Sequence, residues 1–132
     1  IMASILRVNT LTDASSNNSI ATSFVAGGSA KAWINIPSGQ ASINDSLNVS
    51  SLDDDGTGDG GINLTSSMAN SNYTITTGEN DSGSSTAIFG HDLTNGTQTT
   101  AGYDFNTFFV NAGSNRTDFD MQSFANIHGD LA

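Results

Sequence analysis

Apolar and polar positions alternate along much of this chain, with the two-residue period of a β-strand. In the segment that begins at residue 31, Ala32, Ile34 and Ile36 share one face, and Trp33 and Asn35 lie on the other. Because successive side chains of a strand point to opposite faces, this pattern predicts a strand with one buried face. Similar runs predict strands at 43–50, 62–65, 73–76, 87–89, 103–110 and 119–127, with a short helix at 117–127 as the alternative for the last. We therefore expect an all-β protein, an antiparallel β-sandwich of the jelly-roll type.

One predicted strand, at residues 103–110, is apolar on both faces. Tyr103, Phe105 and Phe109 point to one side, and Phe108 and Val110 point to the other. A strand that is apolar on both sides is typically buried on both. We therefore expect one face to lie in the core of the subunit and the other against a neighbouring copy.

Glycine-rich polar segments separate the predicted strands. The sharpest of them, residues 53–61, has the sequence DDDGTGDGG and predicts the tip of a hairpin that spans 43–65. Polar loops are expected at 78–85 and 91–102, where serine, asparagine, threonine and glycine predominate.

The first 29 residues form a separate segment in this pattern. Alternation is weak in 5–11, the stretch 12–19 is polar, and residues 26–29, AGGS, are typical of a flexible joint. Such a segment has too few apolar residues for a core of its own. We therefore expect an extended N-terminal arm, residues 1–29, followed by a head domain, residues 30–132.

Composition limits the stability that one copy can reach. The chain has 132 residues, of which 36% are hydrophobic and 12% are charged. It is too apolar and too lightly charged for typical disorder, and it is long enough for one domain with a modest core. Association with other copies would bury additional apolar surface.

Charge and cysteine content exclude several classes of function. The net charge is −10, and three basic residues are too few for the positive surface that binding to nucleic acid or to an anionic membrane requires. Cysteine is absent, so a disulfide, a thiolate nucleophile and a zinc–thiolate site are excluded. No apolar run approaches the roughly 18 residues of a membrane helix, and we expect no secretory signal.

Four motifs, in order along the chain, are similar to those of one viral protein family. Residues 31–36, KAWINI, resemble a strand of tailed-bacteriophage fibre proteins. Residues 45–65, DSLNVSSLDDDGTGDGGINLT, and residues 68–73, MANSNY, resemble the segments that follow that strand in the family. The opening segment 5–14, ILRVNTLTDA, looks like the start of virion-attached fibre proteins. Residues 78–132 match the family only loosely.

This resemblance to a fibre or spike family implies a structural component of the virion that is assembled in the host cytoplasm. Such a component is a homotrimer with an N-terminal attachment segment and a β-sandwich head. Its expected partners are its own copies, other virion proteins and host-surface glycan. Two alternatives remain open, namely a capsid decoration protein (a head fibre or cement protein) and a carbohydrate-binding module.

The resemblance and the apolar pattern together predict three sets of site residues. The virion-attachment residues are Ile5, Leu6, Val8 and Leu11. The trimer-interface residues are Trp33, Phe108 and Val110, with a sugar-stacking surface as the alternative role of the tryptophan. The receptor-contacting loops contribute Asp55, Thr57, Asp59, Asn80 and Asn95, since polar side chains of these loops can hydrogen-bond sugars.

No arrangement of residues points to catalysis or metal binding. The acidic segment 53–59 could hold calcium, but Leu64 occupies the twelfth position of the EF-hand pattern, so a solvated turn is favoured. Asp104 with Asp118, or Asp118 with Asp120, form carboxylate pairs of the kind that glycosidases use, yet nothing marks a buried acid. No Gly-x-Ser-x-Gly motif occurs. We expect a non-enzymatic protein without catalytic residues, metal or cofactor.

Overall fold

The computed structural model describes residues 7–80, 88–93, 97–110, 113 and 115–132, with the backbone alone for 88–93. The strands are β1 (Thr10–Thr12), β2 (Ser19–Ala21), β3 (Ala32–Ile36), β4 (Asp45–Leu47), β5 (Val49–Gly56), β6 (Asp59–Leu64), β7 (Thr74–Asn80), β8 (Ile88–Leu93), β9 (Gly102–Val110), β10 (Arg116–Asp118) and β11 (Gln122–His128). One short helix, α1 (Thr22–Gly28), lies between β2 and β3.

Two antiparallel sheets form a sandwich. One sheet has four strands in the order β4-β3-β11-β7, and the other has five strands. In the five-stranded sheet, β5 pairs with β6 and β6 with β9. β8 pairs with one edge of β9. The other edge of β9 pairs with β6 along its first part and with β10 along its last part. The prediction of an all-β antiparallel sandwich is confirmed.

The core lies between the two sheets. The four-stranded sheet contributes Ala32, Ile34, Ile36, Ala125 and Ile127, and the five-stranded sheet contributes Ile62, Leu64, Tyr103 and Phe105. Met68 and Tyr73, from the connection that precedes β7, complete the buried cluster. Burial of each large apolar side chain stabilises a fold by about 1.5–3 kcal/mol, so this cluster is the main source of stability.

The last predicted element, β11, is a strand, so the alternative of a short helix at 117–127 is wrong. Ser123, Ala125 and Ile127 face the core and alternate with outward residues. The strand pairs with β3 on one edge and with β7 on the other. A helix here would leave the backbone N–H and C=O groups of both neighbours unpaired, which is costly.

The predicted hairpin over 43–65 is wrong in its first part. β4 pairs with β3 in the four-stranded sheet, whereas β5 pairs with β6 in the five-stranded sheet. The chain crosses between the sheets at Asn48, whose φ of +57° is a left-handed conformation that asparagine tolerates. The Asn48 side chain donates to Ser66 O (3.1 Å) and accepts from the Ser66 N–H (2.7 Å), which stabilises the crossing. Leu47 consequently faces outward and does not share a buried face with Val49.

Strands extend into all three predicted loops, of which residues 81–85 and 94–96 lie outside the described residues. Of the predicted tip 53–61, only Thr57 and Gly58 form the turn, and β5 and β6 include the rest. β7 and β8 likewise extend into the predicted loops 78–85 and 91–102. Pairing with a neighbouring strand here outweighs the low strand propensity of glycine, aspartate and asparagine.

The described part of the arm, residues 7–29, is a β1–β2 hairpin followed by α1, so it is less extended than expected. The Asp13 carboxylate accepts hydrogen bonds from Asn18 Nδ2 (2.6 Å) and Ser15 Oγ (2.9 Å) at the hairpin turn. These bonds, the one from Asn18 first, hold the pKa of Asp13 below its ordinary value. No residue of 7–29 is buried. Whether 1–29 is a separate domain stays a prediction.

Candidate functional site

The tip of the β5–β6 hairpin, which includes three predicted receptor-contacting residues, is fixed to the body of the sandwich. The Gly58 N–H donates to Asp120 Oδ1 (2.5 Å), and Gly58 O accepts from the Thr107 N–H (2.8 Å). Gly58 has a φ of +68° and is buried. A Cβ there would overlap the Thr107 carbonyl oxygen and lie 2.6 Å from the Phe119 nitrogen, so only glycine fits without movement of the backbone.

The predicted receptor-contacting residues are distributed over both sheets. Asp55 and Thr57 are exposed at the hairpin tip, and Asp59 is partly buried, where it accepts a hydrogen bond from β9. Asn80 is the last residue of β7, in the other sheet. Asn95 lies outside the described residues. The receptor role of all five residues stays a prediction.

The acidic residues that could form a catalytic pair have separate partners. Asp120 accepts from the N–H of the hairpin turn, and Asp118 pairs with Arg116 (Nε to Oδ1, 3.1 Å). Asp104 lies beside Gly61 on the outer face of the five-stranded sheet, where a Cβ on the glycine would be 2.8 Å from Asp104 Oδ1. Within the described ranges, no group of three or more Asp, Glu, His or Cys side chains is arranged to hold a metal ion.

The outward face of β9 is partly covered by the chain itself. Phe108 and Val110 are partly buried and lie opposite Asp118 and Arg116 of β10. The guanidinium carbon of Arg116 is 3.9 Å from the centroid of the Phe108 ring. The negative face of an aromatic ring attracts a cation, so Arg116 shields one side of this apolar patch.

Trp33 lies on the opposite side of the molecule from Phe108 and Val110. It is partly buried on the outer face of the four-stranded sheet, directly opposite Leu47 on β4 and Asn126 on β11. The core separates this face from the outer face of the five-stranded sheet. The three residues predicted for the trimer interface therefore do not form one continuous patch.

A row of side-chain amides, which the sequence pattern did not predict, crosses the outer face of the four-stranded sheet, where Trp33 lies. Asn80 Nδ2 donates to Gln122 Oε1 (3.2 Å), and Gln122 Nε2 donates to Asn35 Oδ1 (3.4 Å). Asn44 Nδ2 also donates to Asn35 Oδ1 (3.3 Å). We call these four residues the amide row.

Phe124 lies next to this row, over Gly78. The two residues are directly opposite each other on β11 and β7, and a Cβ on Gly78 would overlap Cε2 of the ring and lie 2.9 Å from Cδ2. The glycine therefore allows the ring to lie across the neighbouring strand, with Phe124 40% exposed. On its other side, Phe124 is opposite Asn35. We call Trp33, Phe124 and the amide row together the amide–aromatic face.

The arm carries a group of exposed large apolar side chains. They are Val8, Leu11, Ile20, Phe24 and Val25. Leu11 and Ile20 are opposite each other in the β1–β2 hairpin and line an open hollow of about 350 Å³. Phe24, on α1, is 72% exposed. Two of the four predicted attachment residues, Ile5 and Leu6, lie outside the described residues.

No family model, curated protein or solved structure matches this chain. The resemblance to tailed-bacteriophage fibre proteins therefore stays a prediction from the four motifs. In the described parts of the chain, no helix is long and apolar enough to cross a membrane.

Proposed function

We propose that this chain is a non-enzymatic structural component of a tailed-bacteriophage virion, a trimeric fibre or spike subunit that takes part in host attachment. The N-terminal arm binds another virion protein, and the β-sandwich is presented to the host surface. The motif resemblance and the all-β head support this role. The observation that carries it is the exposed apolar surface of the arm.

The arm has too little buried surface to be stable by itself. Five of the nine large hydrophobic side chains that are exposed among the described residues lie between residues 8 and 25, and none in this segment is buried. Isolated helices shorter than about 12 residues are marginal in water, and α1 has seven. Isolated two-stranded hairpins are marginal too. A partner protein that covers the exposed parts of Leu11 and Phe24 would supply about 1–2 kcal/mol for each side chain.

The outer face of β9 is the proposed contact between copies. Phe108 and Val110 leave apolar surface there, partly covered by Arg116. Copies of one residue can meet around a threefold axis only on the side of the subunit that faces the axis, and Trp33 lies on the opposite side of the sandwich from Phe108 and Val110. We therefore assign Phe108 and Val110 to the trimer contact and leave Trp33 out of it. The outer face of the four-stranded sheet then remains available for another ligand.

Charged substitutions in the arm test the attachment. Leu11→Asp and Phe24→Asp place a carboxylate against an apolar partner surface, so we expect virions that contain little or none of the protein. Leu131→Asp is the matched control, because Leu131 and Leu11 are 44% and 43% exposed but Leu131 pairs with Met68 in the head. Quantitative mass spectrometry of purified virions measures incorporation, and circular dichroism checks folding. Normal incorporation of both arm variants contradicts the proposed attachment.

Antibody labelling of the same virions locates the protein. Label on the tail fibres supports the fibre or spike assignment, and label over the capsid supports the decoration protein instead. Purified virions that contain none of the wild-type chain contradict both assignments.

A further inference from the structure

We propose that the amide–aromatic face binds a neutral oligosaccharide, with Trp33 and Phe124 against sugar rings and Asn35 against sugar hydroxyl groups. This inference rests on the host-attachment role proposed above and names the ligand class for it. It assigns the receptor contact to the outer face of the four-stranded sheet and not to the tip of the β5–β6 hairpin.

Two aromatic residues provide the stacking surface. Phe124 lies over Gly78 and is partly exposed to solvent, and Trp33 is offset from it by one strand and two residues. From the spacing of residues and strands in a sheet, their backbone positions are roughly 8 Å apart. Aromatic ring faces carry negative charge density, which attracts the weakly positive C–H groups on one face of a sugar ring. A sugar chain that lies on β3 and β11 can therefore contact both rings.

The amide row supplies hydrogen-bond donors and acceptors. Asn35 Oδ1 accepts from both Gln122 and Asn44, which orients the amide, and Asn35 Nδ2 has no acceptor among the described residues. The Oδ1 atoms of Asn44 and Asn80 have no donor within the same ranges. Connected hydrogen bonds polarise one another, which strengthens the Asn35 donor. Sugar hydroxyl groups both donate and accept, so they match this arrangement.

The charge of the face favours a neutral ligand. Along β7 and β11 its outward positions are occupied by Thr, Gly, Asn, Gln, Phe and His, and its acidic residue in the described ranges is Asp45, on the edge strand β4. The net charge of the chain is −10, which repels polyanions such as nucleic acids and acidic polysaccharides.

A second copy of the chain is the competing occupant of this face. Leu47 lies opposite Trp33 and is 49% exposed, so it extends the apolar surface. The amide row favours the sugar, because the fixed amides of a second copy would have to match the positions of the Asn35 donor and of the Asn44 and Asn80 acceptors, whereas each sugar hydroxyl group can both donate and accept.

Affinity electrophoresis of the full chain tests the inference, with dextran, mannan or the acidic polysaccharide alginate in the gel. We expect dextran or mannan to slow the wild-type protein and alginate not to do so. Phe124→Leu keeps an apolar side chain over Gly78 but removes the ring, and we expect a loss of affinity of about fivefold or more. Phe119→Leu is the matched control, because Phe119 is 44% exposed and its ring contacts Phe109 on the other sheet. It should bind like the wild type.

A second variant removes the hydrogen-bond donor without removing the amide row. In Asn35→Asp the carboxylate still accepts from Gln122 and Asn44, but the Nδ2 donor is lost. We expect binding to fall by about fivefold or more while the fold is kept. Asp45 is directly opposite on β4, so some loss of stability is expected, and the urea midpoint measures it.

Four outcomes decide the inference. Weaker binding of Phe124→Leu and Asn35→Asp, with Phe119→Leu unchanged, supports it. Unchanged affinity of the first two variants overturns it, as does a wild-type protein that neither dextran nor mannan slows. A lower subunit number in Phe124→Leu also overturns it, because the face is then a contact between copies. None of these results alters the virion location or the mass of the wild-type protein, so failure here is distinct from failure of the proposed function.

Discussion

Gly58→Ala should destabilise the protein much more than Gly39→Ala, although both glycines have a left-handed backbone conformation. The φ angle is +68° at Gly58 and +88° at Gly39. A left-handed alanine costs about 1–2 kcal/mol at either position. At Gly39 no atom of the described residues, apart from the glycine and its two chain neighbours, lies within 4 Å of the new Cβ, so this conformational cost is the whole expected effect.

At Gly58 the new methyl group also meets the backbone of neighbouring segments. It overlaps the Thr107 carbonyl oxygen and lies 2.6 Å from the Phe119 nitrogen, so the turn must move away from β9. The movement weakens the hydrogen bond from the Gly58 N–H to the Asp120 carboxylate and the one from the Thr107 N–H to Gly58 O. Their net contributions are about 1.5–3 and about 1 kcal/mol. We expect a loss of about 3–5 kcal/mol for Gly58→Ala, against about 1–2 kcal/mol for Gly39→Ala.

Urea unfolding, followed by the fluorescence of Trp33, the one tryptophan of the chain, measures both losses. The slope for a protein of this size is about 1–3 kcal/mol per molar urea, so the central difference of about 2–3 kcal/mol between the two losses should separate the midpoints by about 1 M. Equal midpoints would contradict this prediction, because the hairpin tip would then move without a loss of stability, as a flexible loop does.

The remaining predictions concern polar groups that are buried or partly buried. Tyr103→Phe should leave the free energy of unfolding unchanged or raise it, because the Tyr103 hydroxyl has no hydrogen-bond partner among the described residues. Tyr73→Phe should instead lower the free energy of unfolding by about 1 kcal/mol, because it removes the hydrogen bond from the Tyr73 hydroxyl to Gly102 O (2.9 Å). Burial raises the pKa of Tyr73 to about 12, from an ordinary 10. The stability that the protonated Tyr73 contributes is therefore complete below pH 10 and is lost by about pH 12. In Tyr73→Phe the urea midpoint should depend less on pH over that range. Asp120→Asn should lower stability by about 1 kcal/mol, because a neutral amide oxygen accepts more weakly from the Gly58 N–H, and an unchanged midpoint in urea contradicts that role.

Local alternation was sufficient to predict strands whose inner face is buried. In β3, Ala32, Ile34 and Ile36 all face the core, so the two-residue period was clear in the sequence. The same signal could not show which sheet a strand joins. The pattern continues through Leu47 and Val49, although the chain changes sheets between them. A two-residue period shows which face of a strand is apolar, but it does not show which strand lies beside it.

The candidate site required pairing between distant parts of the chain. Asn35, Asn80 and Gln122 lie on three different strands, and only the register of β3, β11 and β7 brings their amides together. Each of them is an ordinary outward polar residue in its own segment. The place of Phe124 over Gly78 likewise depends on register, although the apolar character of Phe124 at an outward position was visible in the sequence.

The mass of the protein in solution tests most directly whether copies of this chain cover one another's apolar surface. Light scattering after size-exclusion chromatography at micromolar concentration should give about 41 kDa, three times the 13.6 kDa of this chain. Phe108→Asp should lower that mass, because it places a charge in the proposed contact. A wild-type mass of 13.6 kDa across the micromolar range would contradict the account.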